Sequence, residues 1–336
     1  MNKEKKNLNE ILFQYNRLIF MGVVIVVMTI VRGSMFFSAS NFSNILYSAA
    51  IYGVMSCGML FAALISGPDL SVGGMASVAS MIVVMSMVRG NFSISSMLIG
   101  MLLAVCVGVI GGALAGAISD FLNVPSFLIT LAFQYVLFGL SELGLQSKIW
   151  AATGNKVFNF IGTGRIFVFP VPVYIFLIVA LLIWFVAEKT VFGRMVYAVG
   201  SNPRSSNLVG IPVRLIMISS FAISGLTAAL GGVILAAQTQ QGTPTAGTGY
   251  DSDVLLCVVI GGADFGHGIG SAFGCAYGAI FVALMTNGLR LLGVSSYGQT
   301  VIKGLIIMAV VAFERYSADK ISGLDMRSAR RKRKAA

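Results

Sequence analysis

The sequence predicts an all-α integral membrane protein of about ten transmembrane helices, with both termini in the cytoplasm. Of its 336 residues, 57% are hydrophobic and only 10% are charged, whereas soluble domains carry about 25% charged residues. The apolar segments are long and continuous, which favours helices, because a transmembrane barrel would show alternating segments of about ten residues. The 39 glycines, several of them in small-residue clusters, allow helices to pack closely in lipid.

Ten apolar segments are predicted to form a transmembrane domain over 18–313, after a polar N-terminal segment, 1–17. For the first segment a cleaved signal peptide is an alternative, although the chain downstream is apolar as well. The eighth segment has 13 residues, too few to cross unaided because about 20 are needed. It is expected as a short or re-entrant helix. The predicted spans are 18–31, 44–66, 71–88, 96–118, 126–145, 171–187, 213–237, 251–263, 267–289 and 299–313.

Charge sets the predicted orientation. With ten spans and a cytoplasmic N-terminus, sixteen of the 23 Lys and Arg residues fall on the cytoplasmic side, as the positive-inside rule requires. Four precede the first span, four lie in 188–214 and eight follow from Arg315 onward. The net charge of +11 therefore indicates a basic cytoplasmic tail, 314–336, near anionic lipid, and not a nucleic-acid partner.

The polar segment 188–214 contains the signals of a short capped helix. Asn202 suits the N-cap, Pro203 the first turn and Gly210 the position just past the end. These signals predict a helix over 203–209. So short a helix is marginal alone and needs a surface to dock against, which indicates a docking site between two spans. An ordinary solvated loop is the alternative.

Two glycine-flanked acids lie between predicted spans. Asp69, within 67–73, and Asp264, within 262–268, both fit the pattern Gly-x-Asp-apolar-x-x-Gly. An acid at membrane depth is costly and is a functional candidate, but at a span junction each acid could equally cap the helix that follows. Transporters built from inverted repeats would repeat every five spans. These two loops lie six spans apart, so their similarity does not establish a repeat.

The sequence shows no catalytic constellation. His267 is the only histidine, and no metal motif or P-loop is present, so we expect no catalytic residue, no cofactor and no metal. The cysteines lie apart in apolar segments without a CxxC pair and are expected to be buried small hydrophobes. They are Cys57, Cys106, Cys257 and Cys275.

Several motifs, in order, carry a family resemblance. Gly67-Pro-Asp-Leu-Ser-Val-Gly73 resembles the Gly-Ile-Asp-Leu-Ser-Val-Gly motif of the monosaccharide (ribose/xylose/galactose type) permease subunits of ABC importers. The segment 192–211 is similar to that family's cytoplasmic coupling segment. The agreement extends over about 40–313 and includes 224–226, 246–253, 258–262, 287–294 and 297–299.

The resemblance implies ten helices, a permease homo- or heterodimer in a bacterial plasma or inner membrane, and import of a sugar such as ribose. It also implies two ATPase subunits at the coupling segment and an external solute-binding protein. The resemblance places ATPase coupling at Gly193, Arg194, Ser201, Asn202, Pro203, Arg204 and Gly210. A permease for nucleosides or another small polar solute is the alternative; an ion-coupled secondary transporter is weaker, because charges cluster at span ends.

Three departures from the family pattern leave the solute open. Pro68 replaces an aliphatic residue beside Asp69, and no arginine follows Thr130-Leu131 in the fifth span. The stretch 261–265 reads Gly-Gly-Ala-Asp-Phe where the family more often has Gly-Gly-Thr-Ser-Leu.

A sugar pathway needs sparse polar and aromatic groups, because an importer must not hold its solute tightly. We expect Phe133, Gln134, Asn287 and Gln299 to line it, although a helix-packing role is equally open for each. Asp69 is expected to hold the junction between spans two and three in shape; a place in the gate or pathway is the alternative.

Overall fold

The computed structural model describes residues 16–146 and 148–309. Within these ranges the chain is mostly helical, with four two-residue strands. The helices are α1 (Asn16–Phe36), α2 (Ala39–Ile65), α3 (Val72–Arg89), α4 (Ile94–Leu122), α5 (Ser126–Leu145), α6 (Lys156–Thr163), α7 (Val171–Lys189), α8 (Val191–Ser201), α9 (Pro203–Leu208), α10 (Val213–Thr239), α11 (Tyr250–Ile260), α12 (Ala272–Leu291) and α13 (296–309). The strands are β1 (Trp150–Ala151), β2 (Arg165–Ile166), β3 (Phe169–Pro170) and β4 (Gln241–Gly242).

The described chain divides into two compact units after Gly293, the second of which contains α13. Strands β1 and β4 pair antiparallel, as do β2 and β3. The predicted N-terminal segment up to residue 15, the basic tail 314–336 and the last residues of the tenth predicted span, 310–313, lie outside the described residues.

Among the residues described, seven helices are long and apolar enough to cross a membrane: α2, α3, α4, α5, α7, α10 and α12. A shorter apolar helix, Met21–Phe36, lies within α1. This confirms the predicted class, an all-α integral membrane protein. The predicted spans agree with these helices within about five residues, and the ninth is displaced at its start. That span was expected from residue 267, but α12 begins at Ala272.

The central helix of the first unit is α2. In its most apolar window 94% of the residues are buried, because small residues let neighbours approach on every side. Helices α10, α12, α7 and α11 all pack against it. A helix that is apolar all round is expected in such an interior position.

Glycines bring α4 and α10 into backbone contact. A Cβ added at Gly225 of α10 would collide with the carbonyl oxygen of Gly108, and one added at Gly112 of α4 would collide with the carbonyl oxygen of Phe221. Small residues at such a crossing let two helices pack by direct van der Waals contact, which drives their association in lipid.

Helices α2 and α10 have 27 residues each, and each is followed by a segment that folds back into the bundle. The backbone N–H of Gly247, in segment 240–249, donates to Ser77 Oγ at 2.8 Å, and Gly247 lies against the backbone of Gly73. Segments 66–71 and 240–249 lie five predicted spans apart, the separation that two halves of five spans would have in an inverted repeat.

The eighth predicted span is confirmed as a short helix. Helix α11 has 11 residues, about 16 Å at 1.5 Å per residue. It begins next to Gly73 at the first turn of α3, since a Cβ at Gly73 would lie 3.5 Å from the Asp251 nitrogen. Helices α3 and α11 thus both begin inside the bundle.

Two smaller expectations are wrong. Asp264 does not cap the following helix: Ser271 does, because its Oγ accepts from the Gly274 N–H at 3.0 Å. Four glycines between 262 and 270 have positive φ, which keeps the backbone non-helical until Ser271. Of the four cysteines, Cys106 is exposed on α4 while the other three are buried. The reason is that only 33% of the apolar window of α4 is buried.

We expect Gly225→Val to separate α4 from α10 and lower the melting temperature of the detergent-solubilised protein. Overpacking a tight contact costs about 1–3 kcal/mol or more. Gly139→Val is the matched control, because a Cβ at Gly139 of α5 meets nothing within 4 Å. Equal melting curves for the two variants, measured by fluorescence-detected size exclusion after heating, would contradict the assigned contact.

Candidate functional site

Helices α8 and α9 connect α7 to α10 and form the segment predicted to dock a partner. The short helix is confirmed, at Pro203–Leu208. Asn202 is its N-cap, with Oδ1 accepting from the Ser205 N–H at 2.9 Å. Gly210 has φ +85°, the left-handed conformation that ends helices and favours glycine. Local cap chemistry therefore produces this helix as the sequence predicts.

Helix α8 is seated on the ends of α7 and α2. The Thr190 side chain caps it, accepting from the Gly193 N–H at 3.2 Å, and Gly193 lies against the carbonyl of Ala187 at the end of α7. The Phe192 ring packs against Phe61 of α2, with ring centroids 5.7 Å apart. The bundle therefore fixes the position of α8, which in turn holds α9 outside it.

The outer surface of α8 and α9 is polar with an apolar end. Leu208 and Val209, at the end of α9, are 88% and 78% exposed. A polar helix that presents adjacent apolar residues is typical of a docking element. Of the predicted coupling residues, Gly193 is buried in the seat of α8, and the others are exposed: Arg194, Ser201, Asn202, Pro203, Arg204 and Gly210.

An ion pair ties the end of this segment to the bundle. Arg214, in the first turn of α10, donates Nε to Asp120 Oδ2 of α4 at 2.5 Å. Since Asp120 lies near the last residues of α4, the pair holds the ends of α4 and α10 together just beyond α9.

Asp69 lies at a fully buried junction in the first unit. Its Oδ1 accepts from the N–H and the hydroxyl of Ser71, at 3.0 and 2.6 Å, and its Oδ2 accepts from the hydroxyl of Ser224 at 2.6 Å. Ser224 is the twelfth of the 27 residues of α10. The carboxyl group therefore joins segment 66–71 to the middle of α10.

The surroundings of Asp69 act on the pKa of its carboxyl group in opposite directions. Asp69 lies between the helices α2 and α3, in the connecting segment. Burial raises the pKa of its carboxyl group above the usual value, against hydrogen bonds from Ser224 and Ser71 that lower the pKa. The three donors satisfy the group in a site without solvent, so its geometry fits a structural role.

The predicted pathway residues lie on three different helices. Phe133 and Gln134 lie on α5, where Phe133 packs against the core and Gln134 is 9% exposed. Asn287 of α12 is buried and donates Nδ2 to Asn41 Oδ1 of α2 at 2.7 Å. Gln299, in the second unit, donates to the carbonyl of Val294 at 2.9 Å. Their place in a pathway stays a prediction.

Sequence reasoning missed the partners of two of these groups. Ser224 is 155 residues away from Asp69 in the chain, and Asn41 is 246 residues away from Asn287. The available signal was a polar side chain within an apolar helix, which in lipid needs an internal partner. That signal does not identify which residue the partner is.

Over the residues described, no three His, Cys, Asp or Glu side chains lie where they could hold a metal ion. Long apolar helices, two segments folding back into the bundle and a polar docking segment together define a multi-pass membrane transport protein.

The comparison with known proteins makes the class specific. Residues 41–311 match the family described as the permease component of the branched-chain amino acid transport system, and the chain belongs to that family. No solved structure matches the chain.

Curated relatives cover nearly the whole chain. The chain is 32% identical to the ribose import permease protein of Haemophilus influenzae, over 95% of this chain and 99% of the relative. It is 33% identical to the ribose import permease protein of Bacillus subtilis, over 88% and 91%. It is 30% identical to the D-allose transport system permease protein of Escherichia coli, over 93% and 95%.

We expect Asp69→Asn to keep most of the protein's stability and Asp69→Leu to lose it. The amide oxygen of asparagine still accepts from Ser71, and its NH₂ donates to the Ser224 hydroxyl. Leucine leaves the three donors unpaired, at about 1–3 kcal/mol for each buried group. The measurement is folding yield and thermal stability in detergent.

Transport by the same two variants tests the role of the charge. Loss of uptake in a folded, partner-bound Asp69→Asn protein would contradict a structural role and place the carboxylate in the gate or the pathway.

Proposed function

We propose that this chain is the membrane-spanning subunit of an ATP-driven importer for a monosaccharide, with ribose as the first solute to test. An external solute-binding protein delivers the sugar, and separate ATPase subunits supply the energy. The single observation that supports this proposal is similarity to ribose import permeases over nearly the full length of both chains. The similarity to a D-allose permease supports the wider class of monosaccharides.

The surface of α8 and α9 is the proposed docking site for an ATPase subunit. Exposed apolar residues, Leu208 and Val209, lie beside the exposed cation Arg204. Burying the two apolar side chains against a groove on the partner would remove them from water and stabilise the complex. The capped, pre-formed helix reduces the entropy lost on docking.

The proposed topology has ten helices and two cytoplasmic termini in a bacterial inner membrane. The seven long apolar helices are completed by α1, α11 and α13. This count keeps the 188–214 segment and the basic tail on the same side, as the distribution of Lys and Arg favours. A second permease copy completes the translocation unit.

Reconstituted transport tests the proposed function. The chain, its ATPase and its solute-binding protein are placed in proteoliposomes, and uptake of radiolabelled ribose is followed with ATP. We expect uptake that stops with an ATPase inactivated for hydrolysis and persists with a protonophore. Uptake driven by an ion gradient without ATPase would favour a secondary transporter, and competition by a nucleoside but not by D-allose or ribose would favour the nucleoside alternative.

We expect Gly210→Val to weaken ATPase binding while the bundle stays folded. Valine at φ +85° costs about 1 kcal/mol or more, which disfavours the end of α9. No atom lies within 4 Å of a Cβ at this position, so the effect is conformational and not a clash. Co-purification with the ATPase is the measurement, and Gly139→Val is the control. Unchanged ATPase binding and uptake would count against docking at α9.

Cysteine labelling tests the topology. Asn207, Thr153 and Thr245 are all exposed, so a cysteine at each position is accessible to a membrane-impermeant maleimide. We expect position 207 to react only from the cytoplasmic side, and positions 153 and 245 only from outside. A variant lacking the exposed Cys106 provides the background. If positions 207 and 245 were labelled from the same side, α10 would not cross the membrane and the proposed topology would be contradicted.

A further inference from the structure

A glycine-rich loop between α11 and α12, residues 262–271, lies directly against α8. The backbone N–H groups of Gly266 and Gly268 donate to the carbonyls of Ala63 and Leu64, at 2.9 and 3.1 Å. The Tyr197 hydroxyl of α8 donates to the carbonyl of Gly270 at 3.0 Å. The loop therefore donates hydrogen bonds to carbonyl groups in the last turn of α2, and it accepts one from α8.

The contact between this loop and α8 is made by backbone. Gly268 has φ +65°, and a Cβ there would lie 2.6 Å from the Tyr197 carbonyl oxygen and 2.9 Å from the Ser201 nitrogen. On the other side, a Cβ at Gly200 would lie 2.9 Å from Gly268 Cα. Glycines on both sides of the contact hold the loop and α8 together as one surface.

The loop is closed on itself and presents three exposed side chains. The Asp264 N–H donates to the Ile269 carbonyl at 2.8 Å, and Phe265 packs against the core. Asp264 and His267 form a pair at 3.0 Å with side chains 54% and 65% exposed. Ile269 beside them is 57% exposed.

This surface continues that of α8 and α9. Because Tyr197 and Gly200 of α8 touch the loop, the loop lies on the same side of the membrane as the docking segment. An exposed acid–histidine pair suits an aqueous face and not lipid. A single exposed isoleucine is common on protein surfaces. Ile269, however, lies in a loop that contacts α8, and the adjoining α9 ends in the exposed residues Leu208 and Val209.

We propose that the 262–271 loop is a second contact for the ATPase subunit, with Ile269 as an apolar anchor and the Asp264–His267 pair as its polar rim. This inference rests on the proposed function and extends the interface beyond segment 188–214. An apolar anchor surrounded by polar groups is the usual composition of an interface hot spot. The proposed occupant is the same subunit that docks on α8 and α9, because the loop contacts α8 directly.

Substitution of the anchor tests the proposal. Ile269→Asp is compared with Phe167→Asp, which also places an acid at an exposed apolar residue, since Phe167 between β2 and β3 is 95% exposed. The chain is purified in detergent, and its affinity for its purified cognate ATPase subunit is measured by titration. We expect Ile269→Asp to weaken binding by about tenfold or more, as for a hot-spot residue, and Phe167→Asp to leave it unchanged.

A second measurement avoids dependence on that substitution. His267→Cys, in the background lacking Cys106, is labelled with a maleimide with and without bound ATPase, and we expect bound ATPase to slow labelling by about tenfold or more, as burial at an interface requires. The second contact would be overturned if Ile269→Asp bound the ATPase with full affinity and bound ATPase did not slow labelling at position 267. The proposed function would still stand in that case, provided that the parent chain binds the ATPase. A parent chain that binds no ATPase would overturn both.

Discussion

The architecture depends on satisfying polar groups where the chain turns back inside the bundle. Lipid supplies no hydrogen-bond partners, so each returning segment needs internal ones. At the first turn Asp69 accepts three hydrogen bonds, one of them from Ser224 in the middle of α10. At the second turn the Gly247 N–H donates a hydrogen bond to Ser77 Oγ. These pairings let α3 and α11 begin within the bundle, and they fix both to the long helices.

The same helix, α10, connects the interior to the docking surface. It begins directly after α9, where Arg214 pairs with Asp120 of α4. Twelve residues into the helix, Ser224 bonds Asp69, and glycines hold it against α4 over the same stretch. A partner that engages α9 therefore contacts a segment continuous with the helix that supports the first returning loop.

The sequence predicted what depends on neighbouring residues and missed what depends on distant ones. Asn202, Pro203 and Gly210 delimit α9 by local cap chemistry, and the membrane helices follow from long apolar runs. The hydrogen bond from Ser224 to Asp69 joins residues 155 positions apart. No local pattern in a single sequence indicates which two residues will pair at such a separation. The sequence left open whether Asp264 caps α12, and glycines at positive φ delay the start of the helix until Ser271, which is the cap.

The uneven burial of the helices has a consequence for mutational tolerance. In α2, 94% of the apolar window is buried, whereas in α5 the buried share is 22%. Substitutions in α2 must preserve volume, because a packed interior accepts neither cavities nor extra methyl groups without cost. Helix α5 accepts side chains of many sizes on its outer face. A directed-evolution library that seeks a new solute preference therefore retains more folded members when it varies α5 than when it varies the central helix.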